Sequence, residues 1–381
     1  MDISIESTNR LPRKLRNSVH YLREILVPRR HRNAALWKWV LAVCMWSIWC
    51  SEAPAVEFQG RAPRDPQQAK SVTDMAGRKV TVPHKIVRIA TIGATPVINS
   101  YLFALGEGGK IINGLPYFTP SKWRMQIVIA PHLAGQPVLQ GQNRTINIEA
   151  LLKLRPDVVI TMDVFVAEAL ENSGIPVIVL EWRGVSDIKA NMKILGYLLD
   201  RTARSDEYLR YFETTTAGVR QVLKIVRKSS MPKVLFFDPN TLKTPLRITE
   251  WWIREAGGLS VTAKITRAGD VCYSHEQVLL WNPDIMIVST PERIAKVYQD
   301  KRLSMVNAVR NKKVYTVPMG VHPWGQRTVE QPLTVLWAAK LFYPEQFSHI
   351  DLVAETKDFY RKFFDYSLTN KQAFEIINGG I

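Results

Sequence analysis

The chain has 381 residues, 46% hydrophobic and 22% charged, with 51 Lys and Arg against 34 Asp and Glu for a formal net charge of +17. That length is enough for two domains with sizeable cores, and the composition is that of a folded soluble protein, not a disordered or fibrous one. The positive charge suits an acidic ligand, an anionic membrane or nucleic acid, but no zinc-finger spacing, RNA-binding signature or basic tract interleaved with aromatics is present, which argues against nucleic acid.

Arg29, Arg30 and Arg32 precede an apolar stretch from Ala34 to Trp49 that Lys38 interrupts, and Ala53-Pro54-Ala55 offers small residues where a signal peptidase reads them. The uninterrupted apolar part is too short to span a bilayer comfortably. Residues 1–55 therefore read as a cleaved secretory signal with a long amino-terminal arm. An uncleaved membrane anchor is the alternative, and a lipoprotein ending at Cys50 fits less well because Trp49 is bulky. Cys44 and Cys50 fall in this leader, which leaves Cys272 alone in the mature part and no internal disulfide there.

A polar spacer over 56–70 leads to SVTDMAGRKVTVP, which predicts a hairpin turning at Ala76-Gly77 and ended by Pro83. IVRIATI (86–92) predicts a buried strand, VINSYLFALG a helix closing on Gly106, and KIINGL a further strand. NIEALLKLRPDVVIT begins at Asn147, and PVIVLEW follows as a strand. From Asp187 to about Lys228 the pattern becomes one long helix, with Ile188, Met192, Leu195 and Leu199 on one face. KVLFFD, a helix around Trp251 to Ala256, SHEQVLLWNPDIMIVST from Ser274, KVYTVP and a closing helix VEQPLTVLWAAKLFYPEQF complete the succession.

Two of these segments repeat one unit. In each a Glu (Glu149, Glu276) is followed seven residues later by Pro-Asp (Pro156-Asp157, Pro283-Asp284) and then by an apolar run. The carboxylate suits the unpaired amides at a helix start, the Pro cannot continue the helix, and the run that follows is apolar on both faces as in a covered parallel sheet. A duplicated α/β unit implies two similar lobes with a ligand cleft between them.

Taken in order, the hairpin, IEALLKLRPDVVI, the long helix, WWIREAGG, HEQVLLWNPDIMIV and WAAKLFYPEQF resemble the periplasmic substrate-binding proteins of iron-siderophore and cobalamin ABC importers, from about Ser71 to Phe364. The resemblance implies an α/β fold of two Rossmann-like lobes bridged by a long rigid α-helix, with little closure on binding. It divides the chain into a leader (1–55), a spacer (56–70), an N-terminal lobe (71–186), an interlobe helix (187–229), a C-terminal lobe (230–368) and a tail (369–381). The function it implies is capture in the periplasm of a metal chelate of ferric-siderophore or cobalamin type, with no intrinsic cofactor, for delivery to a permease dimer and its ATPase. Haem, a nickel chelate, or molybdate and tungstate are the alternative ligands. Glu149 and Glu276 match the two glutamates that meet permease arginines in that family; each is equally well explained as a helix-start carboxylate.

Ligands of open α/β sheets sit beyond the carboxyl ends of the strands, which here selects the loops 91–96, 116–118, 162–165, 181–183, 238–240 and 319–327. Tyr117, Trp182, Trp252 and Trp324 are candidates to stack on a flat chelate, and Arg183 and Arg327 to pair with anionic oxygens. VHPWGQR is the foremost loop, because a surface run with His, Trp and Arg so close together gains little from packing. Within it His322 is a candidate metal ligand, as Tyr117 is for ferric iron. No two His stand at a binding spacing, so a complexed metal is expected over a bare ion.

An enzyme finds little support. There is no GxSxG elbow, Gly108-Gly109-Lys110 lacks the earlier Gly of a phosphate-binding loop, and no dinucleotide fingerprint follows IVRIATI. His275-Glu276 opens like a zinc-protease motif, but Leu279 stands where the second His belongs.

Overall fold

The two repeated segments each end in the central or near-central strand of a parallel sheet. The computed structural model describes residues 69–380 apart from 117–122, 142, 144, 227–229, 246–247 and 266–269. The leader expected over 1–55 and most of the spacer lie outside the described residues, as does Tyr117. Among the described residues no helix is long and apolar enough to cross a membrane.

Strands β1 (Ala69–Thr73) and β2 (Lys79–Pro83) form the expected antiparallel hairpin, with Gly77 in the left-handed region at its turn. Asp74 clips the hairpin to the first lobe. Its buried carboxylate accepts the amides of Ala76 and Arg78 (3.0 Å each) and of Val179 (3.1 Å).

The first sheet runs β3 (Ile89–Ile92), β4 (Val158–Thr161), β5 (Val177–Val179), all parallel and buried on both faces. Helices α1 (Thr95–Ala104), α2 (Arg124–Ile129), α3 (Ile148–Leu154) and α4 (Val164–Ala169) surround it. KIINGL, expected as a strand, contributes only a single bridge from Ile111 to Ile89. Side chain replaces backbone just beyond it, where Asn113 Oδ1 takes the Thr91 amide at 2.7 Å and the ladder stops.

The expected helix over 187–229 is two helices, α5 (Val185–Leu198) and α6 (Thr202–Leu223). Asp200 adopts φ 56° at the break, the Arg201 amide donates to Gly196 O at 2.7 Å, and Lys70 Nζ lies 2.6 Å from Asp200 Oδ1. A Cβ on Gly196 would stand 2.6 Å from Ser205 Cβ, so the glycine lets α6 fold back closely on α5. The 22-residue α6 is the bridge, packing on α5 and on two helices of the second lobe.

That lobe contains β6 (Lys233–Phe236), a small antiparallel pair β7 (Lys243–Pro245) and β9 (Asp270–Cys272), α7 (Ile248–Glu255), β8 (Leu259–Ser260), α8 (His275–Trp281), β10 (Ile285–Val288), α9 (Glu292–Gln299), α10 (Asn307–Arg310) and β11 (Val314–Thr316). Its main sheet is parallel in the order β11-β10-β6-β8. Helix α11 (Gln331–Phe342) is followed by two helices the sequence did not announce, α12 (Leu352–Phe363) and α13 (Asn370–Ile377). The expected tail is thus partly α13, started by a capping box of Thr369 and Gln372 and tied back where the Met319 amide donates to Ile376 O at 2.9 Å.

The repeat is structural down to its side chains. Asn147 caps α3 and Ser274 caps α8, and each helix ends in a left-handed residue, Arg155 or Asn282, just before the proline. The aspartate after each proline then clips a neighbouring strand. Asp157 Oδ2 accepts the Val87 and Arg88 amides leading into β3, and Asp284 Oδ2 accepts the Lys233 amide opening β6, all at 2.9 Å. The inner faces of both sheets, α6 and α11 share one hydrophobic core, and each outer face has its own, centred on Val159 in one lobe and Met286 in the other.

Candidate ligand cleft

A cleft of about 740 Å3 opens where the loops after β3, β4 and β11 meet. From the first sheet come Gly93, Ala94, Pro96, Met162, Asp163 and Phe165, and from the second His322, Gln326 and Arg327. Three of the loops expected from the sequence, 91–96, 162–165 and 319–327, are therefore brought together, at the carboxyl ends of their strands. Gly93 turns with φ 86° and donates its amide to Gln140 Oε1 at 3.0 Å, which aims the start of α1 at the cleft. The positive end of that helix favours a negative ligand group. Asp163 is occupied in capping α4 through the Phe165 amide at 3.0 Å.

His322 is 5% exposed and its ring stacks on Trp123, with centroids 5.1 Å apart and 15° between planes. Burial first, and then the Arg327 charge, push the imidazole down to about 3, so it is neutral at neutral pH. Among the described residues its Nδ1 has no hydrogen-bond partner. A neutral imidazole is the form that binds metals. Among the described residues no three His, Cys, Asp or Glu side chains are grouped to hold a metal ion.

Two tryptophans of the expected site belong to the core instead. Trp324 is fully buried, with Nε1 donating to Glu330 Oε1 at 2.9 Å, and Trp252 is fully buried against Phe236 and Trp337, with Nε1 3.3 Å from Gly325 O. VHPWGQR is not a surface run, because its tryptophan points inward and only His322, Gln326 and Arg327 line the cleft. Trp182 packs partly buried against the central core, and Arg183 is exposed, 2.6 Å from Glu181 Oε2. Neither lines the cleft.

Sequence reasoning missed Trp123, Gln140 and Glu330. Nothing periodic surrounds Trp123, but an acid between Val329 and the proline start of an apolar helix was a readable signal. Glu330 is fully buried and its carboxyl is pushed up to about 7 by that burial, against the pull of donors from Tyr360, Trp324, Thr328 and His322. A Cβ on Gly320 would lie 1.9 Å from Glu330 Oε1, so only glycine fits there.

Glu149 and Glu276 are both exposed at the second position of their helices. The carboxyl of Glu149 is lowered by Lys153, 2.6 Å away, and that of Glu276 by the Ser274 hydroxyl and its own amide. A larger hollow of about 980 Å3 borders α8 with Cys272, Tyr273 and Leu280, but its walls come from the second lobe alone and bring no buried charged side chain to it. It lacks the convergent polar groups of a ligand site.

Residues 119–319 match the family described as periplasmic binding protein. The chain is 24% identical over 327 residues to the molybdate-binding protein MolA of Haemophilus influenzae, covering 77% of this chain and 90% of that one. A periplasmic solute binding protein from Veillonella parvula superposes with a TM-score of 0.72 at 29% identity, over 81% of this chain and 97% of that one. Helicobacter pylori CeuE in a Ni-His complex superposes with a TM-score of 0.67 at 19% identity, over 81% and 99% of the two chains.

Proposed function

Since the chain belongs to the periplasmic binding protein family, we propose that it is the substrate-binding component of an ABC importer and that its cargo is an anionic metal chelate. The observation that carries this reading is the neutral His322 beside the Arg327 cation in a cleft with no metal-holding cluster among the described residues. Such a pair suits a metal that already carries its own oxygen donors. His322 fills an open coordination position and Arg327 pairs with the ligand's negative oxygens. The cleft volume is in the range of sites for organic ligands.

Molybdate or tungstate is a second reading, favoured by Arg327 beside the amino end of α1 and by the name of the Haemophilus relative. Protein purified without added ligand tests both, through elemental analysis, its visible spectrum and calorimetric titration with Ni-histidine, a ferric catecholate, haem and molybdate. Binding of a chelate is expected. Binding of molybdate alone establishes the second reading, and binding of none of the four overturns the first.

The proposal extends to docking, in which Glu149 and Glu276 each meet an arginine of a two-fold permease. Reversing both to Arg should abolish transport in vesicles with ligand affinity intact; transport at the wild-type rate would leave them as helix-start carboxylates.

A further inference from the structure

Glu330 does not line the cleft, yet its carboxylate gathers donors from His322, Trp324 and Thr328 along the loop that does. Oε1 accepts Trp324 Nε1 at 2.9 Å and Tyr360 Oη at 2.7 Å, and Oε2 accepts Thr328 Oγ1 at 3.0 Å and the His322 amide at 3.3 Å. Tyr360 Oη in turn accepts the Val321 amide at 3.1 Å. The loop is also held from outside its lobe, by Gln126 Nε2 donating to Val321 O at 2.9 Å and by Tyr208 Oη donating to Val329 O at 2.7 Å. Glu330 is the point inside this frame where α12, the tryptophan and the histidine backbone converge.

For stability alone a buried carboxylate is a poor choice, since well-packed apolar residues often do as well or better. What it offers is two acceptor oxygens in fixed places. We propose that Glu330 is a positioning residue for ligand capture, holding the 321–328 loop so that His322 stacks on Trp123 and faces the cleft with Arg327. The inference rests on the reading of this cleft as the ligand site. Glutamine keeps the shape of Glu but loses one acceptor. Whichever way its amide turns, the NH2 meets a donor that cannot become an acceptor: the Trp324 indole N–H on one side, the His322 amide on the other.

The test uses diethyl pyrocarbonate on the full-length protein without ligand, with each histidine followed by peptide mass spectrometry. The exposed His84, His132 and His349 serve as internal references. The buried His322 should react slowly in the wild type. Glu330→Gln should raise its rate relative to the references about tenfold, and Tyr360→Phe, which removes one donor and keeps the ring, about threefold. Val288→Ala, a core truncation in β10, should lower the melting temperature and leave the His322 rate unchanged. A His322 rate within about twofold of wild type in both Glu330→Gln and Tyr360→Phe, or one raised equally by Val288→Ala, reduces Glu330 to a stabilising role and overturns the proposal. If Glu330→Gln does not fold, Tyr360→Phe decides. No ligand enters the assay, so failure of the transport reading, measured by titration of the wild type, is distinguishable from failure here.

Discussion

The two walls of the cleft are built on opposite principles. On the second lobe's side the lining residue His322 is buried, and behind it Trp324 and Glu330 hold its backbone in one hydrogen-bond network. On the first lobe's side Phe165 is 72% exposed and Ile148 40% exposed, flanked by Met162 and the start of α1. A network fixes the positions of its members, whereas an apolar rim asks only for area. One wall is therefore a fixed polar template, and the other an adaptable apolar surface.

The strongest way to break that contrast is Trp324→Ala. Removing a fully buried indole that also satisfies Glu330 should cost about 3–5 kcal/mol of apo stability in urea unfolding. A loss below about 1 kcal/mol would make this wall as tolerant as the other. Next comes Arg327→Ala, which should weaken chelate binding by about 1–3 kcal/mol in calorimetry with little change in melting temperature. Equal losses of affinity and stability would mark Arg327 as part of the frame.

The template wall also leaves a pH signature. Burial holds His322 at about 3 against its ordinary 6.5, so between those values the unfolded chain binds more protons and stability rises with pH. Glu330 is lifted from 4.5 to about 7, so in that window the folded chain binds more and stability falls with pH. Each slope is at most about 1.4 kcal/mol per pH unit, and the two oppose between 4.5 and 6.5. The contribution of this pair should therefore be nearly flat across that range and drop below 4.5. In His322→Gln the Glu330 slope stands alone, and stability should fall as pH rises from 4.5 towards 7. A variant profile parallel to the wild type would show that His322 is not held neutral.

The smallest effect belongs to the rim. Phe165→Ala should leave stability within about 0.5 kcal/mol and weaken binding of an aromatic chelate by about 1 kcal/mol, with no effect on molybdate. Equal weakening of both ligands would give the phenyl ring a role in shaping the anion site.

The fold was legible because its signals are local. Pro156-Asp157 and Pro283-Asp284 mark helix stops and strand starts, and the duplicated Glu marks the helix starts before them. Three of the expected loops line the cleft for the same reason, since they follow recognisable strands. Which way a loop residue points is not a local property. Trp324 turns inward because Glu330, itself held by Tyr360, is there to receive it, and Tyr360 lies in a helix that no nearby pattern connects to the loop. The break at Asp200 was equally hidden, as it depends on the close approach of Gly196 to Ser205.

The central core has no seam at the boundary between the lobes. Ile89 and Val158 of the first sheet, Tyr208 and Phe212 of α6, and Val234, Trp252 and Phe363 of the second lobe belong to one continuous set of touching buried side chains. Neither lobe keeps its inner face covered once the other has melted. Calorimetry of residues 69–381 should accordingly give one endotherm, with calorimetric and van't Hoff enthalpies equal, where loosely tethered domains would give two. A ligand that binds in the cleft should then stabilise the entire cooperative unit, so that the shift in its single melting temperature reports contact with both walls at once.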